Sequence, residues 1–241
     1  MDRTIVITGA SRGIGRAAAL RFSKEQDKLF LVCKKNTDLL KETAALCEKN
    51  GAEACVFTGD LADPFVCARL MQECMERFGI PDVLVNNAGI SHVSLFQDTS
   101  PETLGEIINA NLCSMVNLSR EAVKGMLQNH SGRIINVSSV FGLAGGSMEV
   151  EYSLTKGAAN AFTKALAKEL APSSIAVNAI APGAIDTEMN QNLSPEERAA
   201  LEEEIPMGRF GTPEECAELI AFLADAPLYL TGEVIGINGG W

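Results

Sequence analysis

The sequence predicts an α/β fold: a doubly wound parallel sheet of about seven strands, with helices on both faces. Three observations carry this. Short β-branched runs alternate with helical stretches along all 241 residues. The runs are apolar throughout rather than alternating, as strands buried on both faces are. A glycine-rich turn, Gly9, Gly13 and Gly15 within "TGASRGIG", joins the first run to the first helix. No linker, low-complexity tract or repeat interrupts the pattern, so residues 1–241 read as one domain.

The strand "TIVITG" (4–9) leads into the helix "IGRAAALRFSKEQ" (14–26). "LFLVCK" (29–34) is a strand, and "DLLKETAALCEKNG" (38–51) a helix closed by Gly51. "EACVFTGD" (53–60) is a strand before "PFVCARLMQECMERFG" (64–79), a helix opened by Pro64 and closed by Gly79. "DVLVNNAG" (82–89) is the fourth strand, and one long helical region is expected over Pro101–Gln128. "GRIINVSS" (132–139) is a strand, "EYSLTKGAANAFTKALAKELA" (151–171) a helix, and "IAVNAIAPG" (175–183) a strand. Two helical segments, "PEERAALEEE" (195–204) and "PEECAELIAFLAD" (213–225), precede a last strand in "GEVIGING" (232–239).

Composition narrows the function classes. Hydrophobic residues make up 46% and charged residues 21%, enough for a large core and contrary to disorder. The formal net charge of −11 disfavours nucleic acid, whose phosphates need clustered Lys and Arg, and equally an acidic protein partner. The seven cysteines are odd in number, irregular in spacing and lack a CxxC pair, so free thiols in a reducing compartment are expected, and no metal site. The opening "MDRTIVITGA" enters a strand at once, so no signal peptide is expected. No run reaches the ~18 apolar residues of a membrane span. A cytoplasmic location is the expectation that follows.

The glycine turn has a physical reading. Gly9 allows the tight turn, Gly13 lets backbone approach a pyrophosphate, and Gly15 lets the helix pack close on the sheet. The helix N-terminus offers free N–H groups and partial positive charge to the phosphates. This is a Rossmann-type arrangement with GxxxGxG spacing.

Further motifs follow in one order: "NNAG" (86–89), Asn111 in "NANLCS", "NVSS" (136–139), "YSLTK" (152–156) and "APGAIDT" (181–187). Together with the glycine turn they resemble the short-chain dehydrogenase/reductase family, in its single-domain branch, over essentially the whole chain. "IPMGRFGTPEE" (205–215) and "LTGEVIGINGG" (230–240) look most like its 3-oxoacyl-carrier-protein reductases.

Tyr152 and Lys156 stand four apart on one predicted helix and share a face. A nearby ammonium is expected to lower the phenol's pKa, so that Tyr152 exchanges a proton with a carbonyl or alcohol. Ser139, at a strand end, is expected to polarise the substrate oxygen. The resemblance implies Ser139 rather than Ser138 as the catalytic serine, and that Lys156 also holds the nicotinamide ribose. It further implies that Asn111 holds a helix backbone and a water linking Lys156 to solvent.

The second strand ends in Lys34, followed by Lys35, where an NAD site would place an acid. Arg12 lies inside the turn. NADP(H) is therefore favoured over NAD(H), the basic groups meeting the 2′-phosphate. By resemblance, Ser11 and Ile14 belong to the same phosphate turn. Asp60 and Leu61 contact adenine, and Asn87, Ala88 and Gly89 flank the adenosine ribose. Pro182, Gly183, Ile185 and Thr187 hold the nicotinamide amide and diphosphate.

A substrate loop is expected over about 188–210, with Ser91, His92, Val93, Ala144, Met148, Glu149 and Met189 near the substrate. The resemblance implies a carbonyl substrate of 3-oxoacyl-thioester type, carried on a carrier protein in such reductases. Their basic residues are missing from the matching places here, "QNHSG" and "APSSI". Another ketone or alcohol, such as a hydroxysteroid or a small ketone, stays open. A nucleotide sensor without turnover also stays open, although such proteins usually lose the tyrosine or the lysine. A homotetramer is implied by the family. The small-residue row Gly157, Ala158, Ala161 and Ala165 could let two helices approach closely.

Overall fold

The structure, a computed structural model, describes residues 2–191 and 193–241. Position 192, inside the expected substrate loop, and Met1 lie outside the described residues. Seven strands form one sheet: β1 (Thr4–Thr8), β2 (Lys28–Cys33), β3 (Glu53–Thr58), β4 (Val83–Asn86), β5 (Gly132–Val137), β6 (Ile175–Pro182) and β7 (Val234–Ile237). Their spatial order is β3-β2-β1-β4-β5-β6-β7, and every pairing is parallel. The order reverses between β1 and β4, and at such a point an open α/β sheet binds its ligand beyond the carboxyl ends of the strands.

The helices are α1 (Gly13–Ser23), α2 (Thr37–Lys49), α3 (Pro64–Phe78), α4 (Pro101–Ile108), α5 (Ser114–Asn129), α6 (Phe141–Ala144), α7 (Val150–Leu170), α8 (Pro195–Glu204) and α9 (Pro213–Asp225). Successive strand residues point to opposite faces and so feed two cores. Ile5, Ile7, Leu29 and Leu31 pack with Phe22, Leu40 and Ile220 of α1, α2 and α9. Val6, Phe30, Leu84 and Ile134 pack with Leu70, Leu118 and Leu170 of α3, α5 and α7. This two-sided burial is why β1 and β6 are buried at every position and apolar but for Thr4, Thr8 and Asn178.

Local chemistry sets the helix starts. Asp63 accepts from the Phe65 N–H, and Ser100 from the Thr103 N–H. Ser194 with Glu197 and Thr212 with Glu215 form reciprocal capping boxes. All seven cysteines are unpaired, five of them buried. Among the described residues no group of His, Cys, Asp or Glu could hold a metal, and no helix is long and apolar enough to cross a membrane.

The helical region expected over 101–128 is present and continuous, but it is not α-helical throughout. Between α4 and α5 the chain forms a π-helical turn, Asn109–Cys113. Its wider loop inserts residues into the helical ladder and directs Asn111 inward. The Asn111 amide then bonds both backbone groups of Ile90, at 2.7 and 2.9 Å, and the Thr155 hydroxyl at 3.1 Å. Helix α6 was also absent from the expected elements.

Candidate active site

At the switch point a cleft of about 850 Å³ opens. Its floor is the glycine turn. Gly9 and Gly13 have φ of +66° and +52°, a left-handed conformation that glycine adopts without strain. Gly15 does not line the cleft. A Cβ there would strike the Gly9 carbonyl and stand 2.5 Å from the Asn87 amide nitrogen. The glycine therefore lets α1 close against the turn itself and the chain after β4, a more local contact than the expected one with the sheet.

Asn87 and Thr8 hold that turn. The Asn87 side chain donates to the carbonyls of Thr8 (2.9 Å) and Gly9 (3.2 Å). The Thr8 hydroxyl accepts from the N–H groups of Asn87 and Ala88, both at 2.9 Å. Thr8 was not among the expected site residues. Its polar side chain at the end of an otherwise apolar strand was the available signal.

The cleft brings together Ser11, Arg12, Gly13 and Ile14 with Lys34, Lys35, Asp60 and Leu61 on one side. Ala88, Gly89, Pro182, Gly183, Ile185 and Thr187 line it further along, and Ser139, Tyr152 and Lys156 close the far end. Lys34 pairs with Asp60 at 2.6 Å, and this contact holds the Asp60 carboxyl below its ordinary range. Asn111 stands behind the lining, and its partners are the loop at Ile90 and Thr155. The expectation that it holds helix backbone is corrected to that extent, because the π turn aims it at the loop. Glu106 also lines the cleft without any sequence motif to mark it, and Asn109 lines it at the start of "NANLCS".

Of the residues expected near the substrate, Met189 lines the cleft. Ser91, His92, Val93, Met148 and Glu149, on loops, and Ala144, the last residue of α6, lie outside its lining. The Ser94 N–H donates to the Met148 carbonyl at 2.9 Å, tying these two loops together.

The electrostatics at Tyr152 run against the expected direction. Burial pushes the phenol up to about 12, contact with Ser139 pulls it down, and the Glu149 charge pushes it up. Lys156 is itself shifted by burial, its ammonium pulled down to about 8, and its Nζ donates to the Val137 carbonyl at 2.7 Å. Nζ also lies 5.5 Å from the centre of the Tyr152 ring and 3.6 Å from where a Gly89 Cβ would stand. The neighbouring serines divide their work. The Ser138 hydroxyl donates to the Lys156 carbonyl at 3.1 Å, while Ser139 faces the phenol.

Comparison with known proteins gives a consistent result. A model of the family described as short chain dehydrogenase matches residues 3–198. The chain is 39% identical to the uncharacterized oxidoreductase YmfI of Bacillus subtilis, covering 100% of this chain and 99% of that protein. It is 38% identical to the 3-oxoacyl-(acyl-carrier-protein) reductase FabG of Thermotoga maritima, covering 99% and 97%. A structure of a point variant of actinorhodin polyketide ketoreductase with NADPH superposes with a TM-score of 0.93 at 31% identity, covering 99% and 97%.

Proposed function

The chain belongs to the short chain dehydrogenase family, and from that premise we propose that it is an NADP(H)-dependent reductase of a 3-oxoacyl-type carbonyl. The observation that carries this reading is the grouping of Tyr152, Ser139 and Lys156 at the far end of the glycine-floored cleft. A nicotinamide dinucleotide fits the residues present. Helix α1 has no side-chain cap, so its first N–H groups are open to a diphosphate. A Cβ on Gly13 would crowd the Thr187 side chain at 3.3 Å, and its φ of +52° favours glycine, so bare backbone faces that cradle. Lys34, Lys35 and Arg12 are exposed cations at the cleft's adenosine side, with no acid in Lys34's place after β2. That favours a 2′-phosphate.

When bound, the cofactor supplies the hydride. Tyr152 holds the proton that the carbonyl oxygen receives. A phenol pushed up to about 12 is protonated at neutral pH and so carries the proton that reduction consumes. Ser139 orients and polarises that oxygen through its hydroxyl. Lys156 is mostly ammonium at pH 7 and offers its charge to the ribose and the phenol. The same residues would serve a hydroxysteroid or small ketone. The lack of Lys and Arg in "QNHSG" and "APSSI" counts against a carrier-bound substrate and keeps that second reading as the alternative. The assembly we propose is a homotetramer in the cytoplasm; Ala161 and Ala165 of the small-residue row are exposed and free to meet another helix.

The test is NADPH consumption with acetoacetyl-CoA and a panel of ketones, on wild type and Tyr152→Phe. The variant should keep NADPH affinity and lose turnover by ~10²–10⁴. Near wild-type turnover in a folded Tyr152→Phe would overturn the assignment.

A further inference from the structure

We propose that Trp241 is a positioning residue for this site: through Phe141 it braces the short helix α6, which holds the Ser139 hydroxyl. The inference rests on the reading of Ser139 given above.

Helix α6 has only four residues, too few to be stable alone, and its Leu143 is 55% exposed. Yet it borders the reacting end on two sides. The Phe141 N–H donates to the Ser139 hydroxyl oxygen at 3.2 Å. Gly142 lies so close to Lys156 that a Cβ would stand 2.7 Å from that residue's carbonyl carbon. The Gly142 carbonyl accepts from the Asn160 amide at 2.9 Å. Any drift of α6 against α7 therefore moves the N–H that holds the Ser139 hydroxyl.

What holds α6 from the other side is the segment after β7. The Trp241 ring meets the Phe141 ring edge-on, with centroids 5.7 Å apart and planes at 64°. Asn238 fixes Trp241 in turn. Its amide donates to the Trp241 carbonyl at 2.7 Å, and its oxygen accepts from the Gly240 N–H at 3.1 Å. The same segment meets the end of the expected substrate loop, where the Met207 N–H donates to the Gly239 carbonyl at 3.1 Å. A Cβ on Gly239 would stand 2.9 Å from Ile205. One piece of chain thus touches both the helix that orients Ser139 and the end of the loop.

The experiment is hydrogen exchange on wild type, Trp241→Ala and Trp241→Phe, with NADPH affinity and turnover on each. In Trp241→Ala, exchange over 139–145 should rise ~10-fold while β1 and β2 stay protected, as expected for local rather than global opening. Turnover should fall ~10-fold at unchanged NADPH affinity, because a positioned group is displaced. Trp241→Phe keeps an aromatic edge and should restore both. Unchanged exchange over 139–145 in Trp241→Ala would overturn the brace. So would wild-type turnover in that variant. Exchange that rises everywhere would equally overturn it, by assigning Trp241 to global stability. Wild type that consumes no NADPH with any carbonyl refutes the proposed function instead, and the exchange result still decides the brace.

Discussion

Replacing Lys156 with Met should make the protein more stable at neutral pH while disabling it. The Lys156 side chain is buried, and its Nζ makes one hydrogen bond, to the Val137 carbonyl. Among the described residues no carboxylate compensates the charge. Burial alone pulls the ammonium from 10.5 down to about 8. At 1.36 kcal/mol per pH unit, that gap means the fold carries a cost of ~3 kcal/mol to keep the ammonium protonated. Loss of the bond to Val137 returns ~1 kcal/mol of this. Lys156→Met, of similar length and apolar, should therefore gain ~2 kcal/mol, or roughly 4–8 °C in Tm for a chain of this size. The sign can be checked against pH. The folded pKa is depressed, so the unfolded chain binds more protons between about 8 and 10.5. The cost is fully present below pH 8 and is relieved as pH rises towards 10.5. The assay is urea and thermal unfolding of both proteins at pH 7 and pH 10, with NADPH binding and turnover at pH 7. The advantage of the variant should shrink at the higher pH, and both turnover and cofactor affinity should fall. Equal or lower stability of Lys156→Met at pH 7, or a gap that does not change with pH, would refute the reasoning.

Wild type should bind NADPH more tightly than NADH, and Lys34→Asp should reverse the order, each lost phosphate contact weighing ~1.5–3 kcal/mol; both dissociation constants measure this, and tighter NADH binding in wild type would sink the assignment. Gly15→Ala should destabilise the protein by ~1–3 kcal/mol, the range for overpacking, because its Cβ would collide with the Gly9 carbonyl and Asn87; a wild-type denaturation midpoint would count against that contact. Light scattering at micromolar concentration should give a tetramer, and a monomer there would contradict the proposed assembly.

Much of this protein is legible in its sequence because the relevant physics is local. A strand buried on both faces is apolar along most of its length, so β1 and β6, polar only at Thr4, Thr8 and Asn178, announce a parallel sheet. A left-handed turn at a helix start needs glycine, so Gly9 and Gly13 mark the floor of the cleft. Four residues make about one helical turn, so Tyr152 and Lys156 share a face wherever the helix packs. Motif order then gathers Ser139, Asn87, Gly89 and Thr187 into the same site.

What the tertiary structure decided depends on groups distant along the chain. Asn111 turns away from its own helix because Ile90 and Thr155 wait on other elements, and a π turn supplies the reach. Lys34 and Asp60 come from adjacent strand ends and pair across them, 26 residues apart in sequence. Trp241 meets Phe141 only because β7 lies beside β6 and carries the chain back over α6. The phenol of Tyr152 shows the limit most directly. Helical spacing places an ammonium nearby and points to a lowered pKa. Burial is contributed by every element that covers the ring, and it carries the phenol to about 12 instead. Spacing along a helix is written in the sequence; the solvent removed by folding is a property of the whole packed molecule.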